Sequence, residues 1–110
     1  MRFVISENKI NKALSAYMYY KFDGLKPYKS KVFPVGLFYL NDVGGIEAEV
    51  IDKVQGIILD YNIWVEIADL FLFDSIKEQS TALEYWAKQY FGFENPRFDF
   101  REFVETIDDL

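Results

Sequence analysis

Two stretches whose apolar residues recur at threes and fours bracket a middle third that alternates in twos, and that order restricts the chain to a mixed helix-and-sheet fold. The first stripe is Ile10, Ala13, Leu14, Tyr17 and Met18, extended by Phe22. Ser6 is placed to cap that helix, with Glu7 favoured by the positive helix end. Ile5 and Ile10 have the spacing of a hydrophobic staple. Asp23-Gly24 ends the helix and Pro27 blocks its return. The second stripe is Ile76, Leu83, Trp86, Ala87 and Tyr90, opened by the capping box Ser75-Ile76-Lys77-Glu78 and stopped by Gly92.

Between them lies strand-forming sequence. Lys26-Pro27-Tyr28-Lys29-Ser30-Lys31 reads as a basic loop. Residues 32–40 are rich in β-branched and aromatic side chains, and Pro34 and Gly36 inside them suit an edge strand or a late strand start. Asn41-Asp42-Val43-Gly44-Gly45 is a turn cluster. Ile46-Glu47-Ala48-Glu49-Val50 then alternates apolar inward and acidic outward, so the pair predicts an antiparallel hairpin. Ile57-Ile58-Leu59 begins a third strand after Gln55-Gly56. The next segment fits two patterns. Ile57, Leu59, Tyr61, Ile63, Val65 and Ile67 share a strand face, whereas Trp64, Ile67, Ala68, Phe71 and Leu72 share a helix face. A strand that long exceeds the usual ~5–6 residues. The preferred reading is a strand to about Tyr61, then a helix over 62–72 capped by Asn62. After Glu94-Asn95-Pro96, residues 98–110 read as a short amphipathic helix or an ordered tail. The expected fold class is α+β in a single domain spanning 1–110. It has an N-terminal helix, a three-stranded antiparallel meander and two C-terminal helices on one sheet face.

The chain has 110 residues, 51% of them apolar and 19% aromatic. One core is ample for that length, and the aromatic surplus points to a contact face. Cysteine and histidine are absent. That removes disulfides, thiolate metal sites, cysteine nucleophiles, the commonest zinc ligand and the usual base for a serine nucleophile. The opening MRFVISENKI lacks the pattern of a signal peptide, and uncharged runs such as 32–41 are too short to span a bilayer. The reading is a soluble, cytoplasmic protein without membrane contact, whose mature form is the whole chain.

The net charge of −6 is unevenly placed. Residues 1–31 carry seven basic and two acidic side chains, and residues 32–110 carry five basic and sixteen acidic ones. The bland reading is solvated faces of opposite sign. The sharper one is a polar molecule whose basic end meets an acidic partner or another copy.

The ordered layout resembles a group of small uncharacterised proteins from marine tailed phages and ocean metagenomes. The likeness is carried by Phe3-Val4-Ile5-Ser6-Glu7-Asn8, the Tyr-rich helix to Phe22 and the Lys-Pro-Tyr-Lys-Ser-Lys loop. It continues through Phe38-Tyr39-Leu40-Asn41, Ile63-Trp64, Trp86 and Tyr90-Phe91-Gly92-Phe93. It covers roughly residues 3–93. It implies a shared fold and a phage-like origin, with the host cytoplasm as setting, and no activity.

Several constellations bear on chemistry. Segment 17–31 interleaves aromatic and basic residues, the pattern that stacks bases and neutralises phosphates. Tyr17 and Phe22 belong to the core stripe, which leaves Tyr19, Tyr20, Lys21, Lys26, Tyr28, Lys29 and Lys31 as candidate contact residues. Glu47, Glu49, Asp52, Asp60, Glu66, Asp69 and Asp74 would have to line one face for the chain to mimic a nucleic acid. A carboxylate-and-metal enzyme needs two Asp or Glu converging in a pocket, and Glu47 with Glu49 read first as a solvated strand face. Trp64 and Trp86 sit on helix stripes, where core packing is their first reading; an exposed one becomes an interface anchor. The expected function is therefore a non-catalytic interaction or accessory protein acting by protein–protein contact, with no cofactor or catalytic residue. Its partner would be a second copy or another protein. A nucleic-acid-associated or acidic DNA-mimic protein is the alternative.

Overall fold

The structure is a computed structural model that describes residues 7–73 and 75–110. The Ser6 cap, the Ile5 staple and Asp74 lie outside the described residues. Helix α1 (Glu7–Asp23) is followed by strands β1 (Lys26–Lys29), β2 (Leu37–Leu40), β3 (Ile46–Ile51) and β4 (Gly56–Asp60). Then come helices α2 (Tyr61–Phe71) and α3 (Ile76–Phe91) and strand β5 (Arg97–Arg101). The strands form one sheet in the order β1-β2-β3-β4-β5. The first four are antiparallel neighbours, and β5 runs parallel to β4.

The α+β class holds, but the sheet has five strands rather than three. The basic loop is partly an edge strand. An edge tolerates Pro27 because only one side of it enters the ladder. Lys26 and Lys29 discourage a further strand from adding there. Of the two alternatives for residues 32–40, the late strand start holds: Pro34 and Gly36 lie in the turn and bend before β2 begins at Leu37. Of residues 98–110, expected as a short helix or an ordered tail, the first part belongs to the strand Arg97-Phe98-Asp99-Phe100-Arg101, and residues 102–110 form an ordered tail. That strand pairs from Gly56↔Arg97 to Asp60↔Arg101. A parallel neighbour needs a long crossover, which α2 and α3 supply.

The three helices share one core with one face of the sheet. Ile10, Leu14, Met18 and Phe22 of α1 meet Ile63 and Ile67 of α2 and Leu83, Trp86 and Ala87 of α3 over Ala48, Val50, Ile57 and Leu59. Trp86 is fully buried, 4.8 Å from the Phe22 ring centre. Trp64 is half-buried, its ring 4.1 Å from that of Phe100. Both tryptophans therefore pack inside, and residues 62–67 are helical. Three residues of the expected helix faces are displaced: Ala13 is exposed, and Leu72 and Ile76 are each 72% exposed.

The caps follow local chemistry. Ser75 Oγ accepts from Glu78 N at 3.1 Å, and Gly92 ends α3 with a φ of 72°. The cap of α2 is Asp60 rather than Asn62; its Oδ2 accepts from Asn62 N at 3.0 Å.

The other face of the sheet carries a second cluster of Phe38, Leu40, Ile46 and Leu110, with Tyr28 and Phe103 against it. A β-bulge creates it. Tyr39 pairs with Ala48, but Leu40 pairs with Ile46, so Glu47 is the extra residue. The strict alternation expected of 46–50 is thereby broken, and Ile46 joins this second cluster rather than the helix-side core. Asn41 holds the bend. Its Oδ1 accepts from Val43 N and Gly45 N, and its Nδ2 donates to Glu47 Oε1 at 3.0 Å.

Candidate functional site: a recess on the open face of the sheet

Residues 102–110 cross the sheet face that the helices leave open. Phe103 N donates to Asp60 Oδ1 at 3.1 Å, which ties the start of this strap to the α2 cap. Thr106 bridges Gly45, and Ile107 N donates to Gly44 O at 2.9 Å. Gly44 takes a φ of 81°, and a side chain there would collide with Ile107. At the far end Leu110 is buried, and its carbonyl oxygen accepts from Ser30 Oγ at 2.9 Å. The same Ser30 oxygen accepts from Val32 N and Phe33 N at 3.0 and 2.9 Å. One buried hydroxyl thus fixes both the strap and the loop over residues 31–36.

Between strap, loop and sheet lies a recess of about 90 Å³. Its walls are aromatic, with Phe33 from the loop, Phe38 from β2 and Phe103 from the strap. Three charged side chains enter it: Glu49 from β3, Arg101 from β5 and Glu105 from the strap. Arg101 Nη2 donates to Glu105 Oε1 at 2.7 Å, and the guanidinium carbon lies 5.0 Å from the Phe103 ring centre. Glu105 Oε2 is buried with no hydrogen-bond partner among the described residues. Glu49 sits in the sheet opposite Phe38 and Ile58, and its Oε2 lies against Gly36. Burial pushes the Glu49 carboxyl above its usual range; Arg101 pulls it down and Glu105 raises it further. The loop that carries Phe33 also holds Val32 and Val35 exposed.

The candidate contact residues of segment 17–31 are dispersed. Tyr19 packs edge-on to Tyr90, with ring centres 4.8 Å apart. Lys21 Nζ pairs with Glu66 Oε2 at 3.1 Å. Tyr28 is half-buried against the second cluster. Lys26 and Lys29 are three apart on one strand and therefore leave the sheet on opposite faces. Lys31 is exposed beyond the strand end. Tyr20, 81% exposed, shares an open groove with Lys21, Asp23 and Glu47, so two carboxylates accompany it.

The acidic face expected for mimicry is likewise divided. Asp60 is buried, accepting from Asn62 N as the α2 cap and from Phe103 N of the strap, Glu66 is paired with Lys21, and Glu49 faces the recess. The carboxylates that converge are Glu49 and Glu105, rather than Glu47 and Glu49. Arg101, Glu105 and Phe103 are not among the residues the sequence singles out; the four-residue spacing of Arg101 and Glu105 is the one trace of them there.

Comparison with family models, curated proteins and solved structures finds no match for the chain. Among the described residues, no helix is long and apolar enough to cross a membrane.

Proposed function

We propose that this is a non-catalytic interaction protein that works by protein–protein contact through the open sheet face. One observation carries the reading: the loop over 31–36 holds Val32, Phe33 and Val35 out in solvent while Ser30 Oγ fixes its base, accepting from Val32 N and Phe33 N and donating to Leu110 O. Exposed apolar side chains on an anchored loop lose little conformational freedom on binding, which favours contact. The recess beside them, at about 90 Å³, is well below the ~300–1,000 Å³ of small-molecule sites. It suits one side chain of a partner better than a substrate. The resemblance to phage proteins supplies the setting, an accessory protein in a host cytoplasm. The partner is a second copy or another protein.

Nucleic-acid binding is the rival. The test is solution mass by size-exclusion chromatography with light scattering at low salt, with and without a mixed-sequence oligonucleotide. The reading predicts no comigration. Comigration that disappears at high salt would overturn it and move the contact to the exposed Lys26, Lys29 and Lys31.

A further inference from the structure

We propose that the recess receives a basic side chain, Arg or Lys, presented by the partner polypeptide; this rests on the protein-contact reading above. Charge balance is the first argument. Glu49 and Glu105 face a single cation, Arg101, so the recess carries one negative charge in excess. Arg101 is already committed through Nη2 to Glu105 Oε1 and through its guanidinium to the Phe103 ring. Glu105 Oε2 is left buried and without a hydrogen-bond partner among the described residues, and the Glu49 side chain lines the same recess. An unpaired acceptor at such a site costs free energy that an entering N–H donor removes.

The walls are the second argument. Phe33, Phe38 and Phe103 present aromatic rings, which attract cations at their faces. An anion entering here would meet Glu49, and a neutral polar group would leave the excess charge uncompensated. Size is the third. About 90 Å³ admits a guanidinium or an ammonium with a few methylenes. The exposed Val32 and Val35 then contact the apolar residues on either side of the entering side chain.

The test is an amide NMR titration of the full chain with three peptides: acetyl-Val-Arg-Val-amide, acetyl-Val-Lys-Val-amide and acetyl-Val-citrulline-Val-amide. Citrulline keeps the shape of Arg without its charge. The expected result is saturable shifts at Glu49, Phe103 and Glu105 with the Arg or Lys peptide. Binding of the citrulline peptide should be weaker by about tenfold or more, as should that of the Arg peptide to a Glu49→Gln chain of unchanged fold. Equal binding of the citrulline peptide overturns the proposal. So do shifts confined to another surface, or none at about 20 mM peptide, a concentration that saturates even a weak millimolar site. If the peptides fail while a photoreactive group at Val35 still cross-links a protein, the recess assignment falls and the contact reading stands. If the peptides bind but no such cross-link forms, the contact reading falls.

Discussion

The hydroxyl of Ser30 donates to the carbonyl oxygen of Leu110 at 2.9 Å, joining two residues eighty positions apart. Around that bond the strap and the exposed loop become one unit. Ser30→Ala removes the acceptor for Val32 N and Phe33 N together with the donor to Leu110. The expected loss is about 2 kcal/mol, because buried groups lose their partners at once. Hydrogen exchange should speed up in residues 31–36 and 102–110 and stay unchanged in α3.

Asp60 joins the strap to the helix layer. Its Oδ2 caps α2 at Asn62 N, and its Oδ1 accepts from Phe103 N. Asp60→Ala should cost roughly 2–3 kcal/mol in urea unfolding, the sum of a lost cap and a lost hydrogen bond. Asp60→Asn keeps one acceptor oxygen and should cost about half as much.

Much of this architecture was legible in local signals, and the remainder was not. The boundaries of α3 follow from Ser75 and Gly92, which act on their own turns and need no distant partner. The hairpin of β2 and β3 follows from the Asn41–Gly45 cluster between apolar alternations. Strand β1 was hidden because Lys26-Pro27-Tyr28-Lys29 has the composition of a loop and becomes a strand only by pairing with residues 37–40. Strand β5 does alternate, with Phe98 and Phe100 on one side and charges on the other. Its parallel partner, however, lies about forty positions back, beyond any local rule. The recess was least legible. Glu49 reads as an outward residue on a solvated face, and only the return of residues 102–110 across that face encloses it.

The pH dependence of stability should carry the mark of Glu49. Burial raises its carboxyl pKa in the folded state, with Arg101 opposing and Glu105 reinforcing the shift. The folded chain therefore holds this proton more tightly than the unfolded chain does. The stability it contributes is present when Glu49 is protonated and is lost as pH rises through the folded-state pKa. At neutral pH the ionised carboxylate is a burden, so Glu49→Gln should raise Tm at about pH 7 and change it little at about pH 4. Thermal unfolding of both chains at the two pH values is the check. A variant less stable at neutral pH would show that Arg101 outweighs the burial cost.

Trp86 fills the centre of the helix-side core with an indole Nε1 that has no partner among the described residues. Trp86→Ala should cost about 3–5 kcal/mol through the cavity it leaves among Phe22, Tyr90, Phe91 and Phe98. Trp86→Phe gives up volume but no hydrogen bond and removes a buried donor, so it should cost under about 2 kcal/mol. Chemical denaturation of the two variants separates these outcomes.

The central claim is that contact is made by the open sheet face beside the recess rather than by the basic segment 17–31. Photo-crosslinking in the cell that makes the protein tests it most directly, with p-benzoylphenylalanine placed at Val35 in one chain and at Lys26 in another. The account predicts a discrete protein adduct from Val35, 74% exposed on its anchored loop, and none from Lys26. Adducts from Lys26 alone, whether to nucleic acid or to protein, would contradict it.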